Sequence, residues 1–278
     1  MNSHKQNILI PVTFSDKDKV TIEHGLLLAK AFNKNITLLA VVDENSSDDI
    51  MQSINNQLEA LKQTFSSVHT PRILSMIEQG ILMPILKKTS DEIEAASVIM
   101  TMEKNSRIRF YKDVQFIKET KQFKMPFLMV HSQEPHPEQS KIIYLPIGFR
   151  KEEKEKLVWA SYFGRFNHSK IVLLKAKESD STARARVQAH ILFAKKLFDQ
   201  FNLDYDIIAS TKNSFGITKE ALQFAHYEKK GIVMICTTKH YGPEEEIIGP
   251  PELKFIKNRE QVPVFCVNPR QDLYVLCE

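Results

Sequence analysis

The sequence predicts an α/β protein built from two tandem open-sheet domains, each a five-stranded parallel sheet with helices on both faces. Three observations support this class. Short apolar runs alternate along the chain with segments of helical periodicity, which is typical of parallel strands joined by crossover helices. The runs do not alternate apolar with polar residues, as expected for strands covered on both faces. The order of these elements also repeats after about 135 residues.

The first half opens with the apolar run Asn7–Val12 (NILIPV), which predicts a strand. Apolar residues at helical spacing then predict a helix over Val20–Phe32. The elements predicted after these are a strand over Ile36–Val42, a helix over Asp49–Ser67, a strand over Ile73–Glu78, a helix near Met83–Ala95, a strand over Val98–Thr101, a further helix, and a strand over Met125–Val130.

The second half repeats this order, with Pro146 at the position that Pro11 has in the first half. The predicted strands are Ile142–Ile147, Ser169–Ala176, Tyr205–Ser210, Ile232–Cys236 and Val262–Val267. The predicted helices are Lys151–Phe166, Ala183–Phe201, Ile217–Lys229 and one beginning near Glu252, after two prolines that suit a first helical turn.

The segment Ser132–Ser140 (SQEPHPEQS) is polar, contains two prolines and predicts a linker. We therefore expect a first domain at 1–131, a linker at 132–140, a second domain at 141–270 and a short tail at 271–278. Two copies of one domain can pack about a pseudo-twofold axis, as an isologous dimer does. We expect such an intrachain pseudo-dimer, with the final strands covering each other's edges. A homodimer of whole chains stays open.

Bulk composition excludes several classes of function. The 38 basic and 34 acidic residues nearly cancel, leaving a charge of +4 that is too small and scattered for nucleic acid binding. No apolar stretch approaches the roughly 20 residues of a membrane span, and the start of the chain lacks a secretory signal. The cysteines are odd in number, which predicts reduced thiols and a cytoplasmic location; they are Cys236, Cys266 and Cys277.

Ligands of open parallel sheets bind beyond the carboxyl ends of the strands, where the strand order reverses. In each half this directs attention to the ends of the first and fourth strands. The corresponding segments are Pro11–Thr13 and Met100–Glu103 in the first half, and Pro146–Gly148 and Cys236–Lys239 in the second.

The pattern resembles the universal stress protein family through PVTFS and LPIGF at the ends of the first strands, and through LLAVVD, MPFLMV and VPVFCV. The resemblance covers nearly the whole chain twice. It implies a Rossmann-like fold of the adenine nucleotide alpha hydrolase-like type. It also implies a binding or signalling role in stress adaptation, exercised through a protein partner not yet identified.

The family carries a nucleotide motif after the fourth strand: Gly, two residues, Gly, nine residues, Gly, then Ser or Thr. In the second half this spacing places Cys236, Lys239, Gly249 and Pro250 at the four positions, and only Gly249 is kept. Side chains at glycine positions put a Cβ where phosphates approach. These side chains oppose phosphate binding, and ATP or AMP is the alternative ligand for an altered site in the second half.

In the first half the same spacing gives Met100, Glu103, Asp113 and Val114, and no motif residue is kept. We expect that site not to bind nucleotide and the protein to need no cofactor. By position, the cofactor-binding candidates of the second half are Ile147, Gly148, Lys175, Cys236, Thr237, Lys239 and Gly249. Their counterparts in the first half, expected to be non-functional, are Val12, Thr13 and Val41.

No catalytic motif and no metal-ligand spacing stands out, so we predict neither catalytic residues nor a metal site. The alternatives are a non-catalytic binding module and an ATP- or AMP-binding protein with slow hydrolysis or nucleotide-dependent switching. A third is an unrelated enzyme using the same sheet, which would need convergent polar groups near Thr13, Asp43 and Glu103, or near Lys175, Cys236 and His240. The run Lys151–Lys156 (KEEKEK) predicts the solvated start of a helix. Trp159, Phe163 and Phe166 predict an apolar stripe in the core, and Cys236 and Cys266 predict small buried residues.

Overall fold

The computed structural model describes residues 2–66, 71–101, 110–238 and 250–269. These residues confirm the predicted α/β class of parallel strands and helices. The chain divides into two compact units, Met1–Pro135 and His136–Glu278. The predicted tail at 271–278 lies outside the described residues, and the packing of the halves as a pseudo-dimer stays a prediction. Within the described ranges, no helix is both long and apolar enough to cross a membrane.

The first unit contains five strands in the order β3-β2-β1-β4-β5, and each strand pairs with its neighbours in parallel. The order reverses between β1 and β4, which opens the crevice where such sheets bind ligands. The elements are β1 (Ile8–Val12), α1 (Asp16–Phe32), β2 (Ile36–Val42), α2 (Asp48–Phe65), β3 (Ile73–Gln79), α3 (Leu82–Glu92), β4 (Ser97–Thr101), α4 (Phe110–Thr120) and β5 (Phe127–Val130).

The second unit repeats this topology in the order β8-β7-β6-β9-β10, so that its crevice lies between β6 and β9. The elements are β6 (Ile142–Ile147), α5 (Glu153–Asn167), β7 (Lys170–Lys175), α6 (Ser181–Gln200), β8 (Tyr205–Ala209), α7 (Ile217–Tyr227), β9 (Ile232–Cys236), α8 (Pro251–Ile256) and β10 (Val264–Val267).

Helix α1 begins at Asp16, four residues before the predicted start at Val20. The reason is local capping. The buried carboxylate of Asp18 accepts hydrogen bonds from the backbone N–H groups of Thr13, at 2.9 Å, and Ser15, at 3.3 Å. These bonds satisfy donors at the end of β1 and at the helix start, where intrahelical partners are missing. Polar capping residues therefore extend the helix beyond its apolar stripe.

The predicted aromatic stripe on α5 is correct for Phe163 and wrong for Phe166. Phe163 is fully buried and meets the ring of Phe265 on β10 edge-on, with centroids 5.4 Å apart. Phe166 is 54% exposed and stacks on Tyr162. The inward side of the last turn of α5 is occupied by Phe163 and the buried Gly164, so Phe166 is left on the outer side.

Candidate functional site

A cleft of about 400 Å³ lies at the carboxyl ends of β6 and β9 in the second unit. This is the point of strand-order reversal, where ligands bind in folds of this kind. Its lining comes from four segments within residues 146–156, 214–218, 235–238 and 251–255. The cleft therefore gathers side chains from the first loop, two further loops and the start of α8.

Gly148 lies directly after β6 and allows the opposite wall to approach closely. A Cβ at this position would lie 2.8 Å from Ser214 Oγ. Ser214 is held in place because Oγ donates to Glu178 at 2.5 Å and accepts from the backbone N–H of Phe149 at 3.1 Å. On the other side, buried His190 donates from Nδ1 to the Gly148 carbonyl at 2.9 Å. Burial lowers the pKa of His190, which favours the neutral ring.

The charged run at the start of α5 is solvated only in part: Lys151 and Lys154 are exposed, as predicted, whereas three other members are buried. Lys156 is only 2% exposed, and its ammonium group pairs with buried Glu153 and donates to the carbonyl of Pro146. Glu155 is buried as well. The first turn of α5 packs against the end of β6, so its inward-facing charges need internal partners. The prediction of a solvent-exposed run was therefore wrong for these residues.

A carboxylate accepts a hydrogen bond from a backbone N–H group in the segment after β9. Glu252 on α8 accepts a hydrogen bond from the N–H of Thr238. The neighbouring hydroxyl of Thr237 donates to Asn268 Oδ1 at 2.8 Å. A phosphate-binding loop at this position would direct such donors at phosphate oxygens. Here they bond to the protein's own side chains.

The two thiols near the cleft are poor nucleophiles. Cys236 is half-buried and donates from Sγ to the Glu152 carbonyl at 3.1 Å, and Cys266 is fully buried. Burial raises the pKa of both thiols, and for Cys266 the negative charge of Glu252 raises the pKa further. This agrees with the prediction of small buried residues for Cys266 and places Cys236 at the border of the cleft.

The mouth of the cleft carries aromatic rings and cations. Phe149 and Phe215 meet edge-on with centroids 6.0 Å apart, and Phe215 is 67% exposed. The ammonium group of Lys254 lies 4.9 Å from the ring centre of Phe255. Arg150 is exposed and donates to Thr238 Oγ1 at 3.3 Å. The rim thus combines apolar faces with positive charge, whereas the buried part holds carboxylates.

The equivalent strand end in the first unit is capped by its own carboxylate. Asp18 accepts hydrogen bonds from the Thr13 and Ser15 backbone N–H groups, as described above, and Thr13 Oγ1 also donates to Asp18 at 3.4 Å. Burial raises the pKa of Asp18, although the backbone hydrogen bonds act in the opposite direction. Near the end of β4, the hydroxyls of Thr21 and Thr101 bond to each other.

The structure brings some of the predicted site residues together and separates others. Gly148, Cys236 and Thr237 line the cleft. Ile147 is buried within β6, and Lys175 donates to Gln188 at 2.8 Å outside the cleft lining. The remaining second-half candidates, Lys239 and Gly249, lie outside the described residues. In the first unit, Val12 is buried, Val41 is half-buried and Thr13 is exposed.

Sequence reasoning did not assign to the cleft the residues that define its chemistry. Glu153, Lys156, Ser214 and Glu252 line it, and His190 supports its wall through the Gly148 carbonyl. One signal was present. Lys156 lies three and seven residues before Trp159 and Phe163, which places it on the inward face of the helix. Glu252 follows the two prolines of a predicted helix start. Its contact with the Thr238 N–H depends on how α8 packs beside the end of β9, which no local sequence pattern encodes. Within the described ranges, no group of three or more metal-ligating side chains could hold a metal ion.

The fold and the cleft define an α/β protein of two units with the same strand order, with a cleft at the strand-order reversal of the second unit. No protein-family model matches the sequence, and no curated protein matches it. A universal stress protein from Archaeoglobus fulgidus superposes with a TM-score of 0.67, covering 97% of this chain and 98% of that one, at 13% identity. A structure from Pseudomonas aeruginosa assigned as a universal stress protein superposes with a TM-score of 0.61. It covers 99% of this chain and 97% of that one, at 12% identity.

The cytoplasmic domain of a prokaryotic cation chloride cotransporter also superposes, with a TM-score of 0.53 over 98% of this chain and 99% of that one, at 11% identity. At these identities the likeness concerns the fold. The chain is therefore similar along nearly its whole length to structures of universal stress proteins, and the same fold also occurs within a transporter.

Proposed function

We propose that this chain is a tandem universal stress-type protein that acts as a non-catalytic binding or signalling module in the cytoplasm. The observation that carries the proposal is the hydrogen bond from the Thr238 N–H to the Glu252 carboxylate, directly after β9. In the resembling family the phosphate loop begins at this point. A buried carboxylate here already accepts the hydrogen bond of the N–H group that a phosphate would use, and its negative charge repels the phosphate.

The other polar groups of the cleft support the same conclusion. The Thr237 hydroxyl is bonded to Asn268, and the Lys156 ammonium group is paired with Glu153. A nucleotide would have to break these buried contacts in order to use either group, and leaving a buried charge unpaired is costly. In the first unit, Asp18 similarly accepts hydrogen bonds from the backbone N–H groups that follow β1.

The second candidate is an ATP- or AMP-binding protein with slow hydrolysis or nucleotide-dependent switching through the second unit. The position and size of the cleft favour it, because about 400 Å³ at a strand-order reversal lies within the usual range for small-molecule sites. The carboxylates of Glu153 and Glu252 in the lining oppose it.

A thermal-shift titration with ATP, ADP and AMP, with and without magnesium, distinguishes the two candidates. A ligand that binds only the folded state must raise Tm according to its concentration relative to Kd. We expect no shift for the unaltered chain at millimolar nucleotide. A clear shift would contradict the proposal and favour the nucleotide-binding candidate.

The variant Glu252→Gln refines this experiment, because it removes the charge and keeps an acceptor for the Thr238 amide. If the carboxylate excludes phosphate, the variant should bind nucleotide more tightly than the unaltered chain. Glu44→Gln, at an exposed residue of the first unit, is the matched control and should change nothing.

A further inference from the structure

The cleft contains a buried carboxylate oxygen that lacks a hydrogen-bond partner. Glu252 is only 3% exposed and lines the cleft. Its Oε1 accepts the Thr238 amide, whereas its Oε2 has no partner among the described residues. A buried acceptor without a donor costs free energy, and a charged one costs more. Because Glu252 lines the cleft, a ligand there that brings a donor would give this oxygen its missing partner.

The described cations of the cleft are engaged elsewhere. Lys156 pairs with Glu153 and donates to the Pro146 carbonyl. Arg150 donates to the side chain of Thr238, and Lys254 lies over the ring of Phe255. The innermost charged groups are Glu153, Lys156 and Glu252, which sum to one net negative charge. The buried part of the cleft therefore suits a positive group.

The walls suit an apolar body attached to that group. Phe149, Phe215 and Phe255 line the cleft, and Phe215 is largely exposed. Ring faces attract ammonium groups, as the placement of Lys254 over Phe255 illustrates. The positive charges of Arg150 and Lys254 lie on exposed residues, where solvent and salt screen their repulsion of an incoming cation.

We infer that the cleft of the second unit binds a small organic ammonium compound, with its charged nitrogen at Glu252 and its apolar part against the phenylalanines. The inference rests on the proposed function in one respect, that nucleotide does not occupy this cleft. It adds the chemical class of ligand that such a binding module would sense. A cleft of about 400 Å³ is large enough for a small organic molecule of this kind.

The test is isothermal titration calorimetry of the full chain with 2-phenylethylamine and with 2-phenylethanol, which has the same body without the charge. We expect the amine to bind and the alcohol to bind at least about tenfold more weakly, because a charge-assisted hydrogen bond is lost. Equal affinities for the two probes, or no binding of the amine at millimolar concentration, would overturn the inference.

Glu252→Gln should weaken binding of the amine at least about tenfold, and Glu44→Gln should leave it unchanged. Full affinity in Glu252→Gln would also overturn the inference. If that variant does not fold, the comparison of the two probes on the unaltered chain still decides. An ATP titration run alongside separates the two proposals: binding of ATP contradicts the proposed function, whereas failure of both ATP and amine to bind contradicts the inference alone.

Discussion

The ammonium group of Lys156 is buried against the carboxylate of Glu153, one turn earlier on α5. The same ammonium group donates to the carbonyl of Pro146 in β6, so this pair joins the helix to the strand end that forms the cleft. Both charges are removed from water, and each depends on the other for compensation.

Replacing Lys156 with Met should therefore destabilise the protein strongly. The variant Lys156→Met leaves Glu153 buried without its cation, and we expect the free energy of unfolding to fall by about 3–5 kcal/mol in urea denaturation. Lys151→Met, at an exposed residue before the helix, is the control and should change stability by no more than about 0.5 kcal/mol. Adding Glu153→Gln to Lys156→Met should recover part of the loss, and an unaffected single variant would refute this account.

A methyl group at Gly148 should disturb the cleft. In Gly148→Ala the new Cβ would lie 2.8 Å from Ser214 Oγ, and that side chain is held by Glu178 and by the Phe149 amide. We expect a loss of about 1–3 kcal/mol in unfolding free energy, as for other overpacked sites.

Ser214→Gly in the Gly148→Ala background removes the clashing atoms and should return some of that stability. Gly216→Ala is the control, since its nearest neighbour would be a Lys212 side-chain carbon at 3.3 Å and its backbone is helical. If the Gly148→Ala variant is as stable as the original chain, the segments that carry Gly148 and Ser214 can move apart at little cost, and this account is wrong.

Stability should decrease as the pH falls below neutrality, in part through His24. Burial lowers the pKa of His24 to about 4, although its hydrogen bond to the Gln133 carbonyl opposes this, and neighbouring His131 lowers it further. Unfolded histidine titrates near pH 6.5, so below that pH the unfolded chain binds a proton that the folded chain does not. The contribution of His24 to the free energy of unfolding is therefore fully present above pH 6.5 and is lost as the pH falls towards 4.

Between pH 7 and pH 5 the His24 contribution amounts to about 2 kcal/mol. Urea denaturation at the two pH values measures it, and His24→Gln should reduce the difference by roughly that amount. His190, whose pKa is also lowered by burial, contributes in the same direction. His226→Gln, at an exposed position, should keep the original pH dependence. The same slope in His24→Gln would exclude His24 as a cause.

The two cysteines near the cleft should resist modification in the folded protein. Burial raises the pKa of the Cys236 and Cys266 thiols, and the thiolate is the reactive form. In a Cys277→Ser chain, we expect slow labelling by a disulfide reagent at pH 7.5 and rapid labelling of two thiols in denaturant. Rapid labelling of one thiol without denaturant would mean that Cys236 is open to the cleft.

The order of strands and helices was predictable from the sequence because each element has its own local signal. Ile36–Val42 is an apolar run interrupted only by Thr37, and it forms β2 with the predicted bounds. Helix boundaries were less predictable, since α1 begins at Asp16 through the capping role of Asp18, which hydrophobic periodicity does not reveal. The edge strand β8 also departs from the pattern, because Ile207 and Ile208 are apolar but exposed.

By itself the sequence determined the α/β class and the repeated element order, because hydrophobic periodicity and the internal repeat are local properties of the chain. It also directed attention to the segments after β6 and β9, since the ends of parallel strands form the ligand edge of a sheet. Only the tertiary structure decided which charges at that edge are buried. Glu252 on α8 accepts from the Thr238 amide, and Lys156 on α5 donates to the Pro146 carbonyl. Such pairings depend on how helices pack on strand ends, and the same residues in another packing would face water.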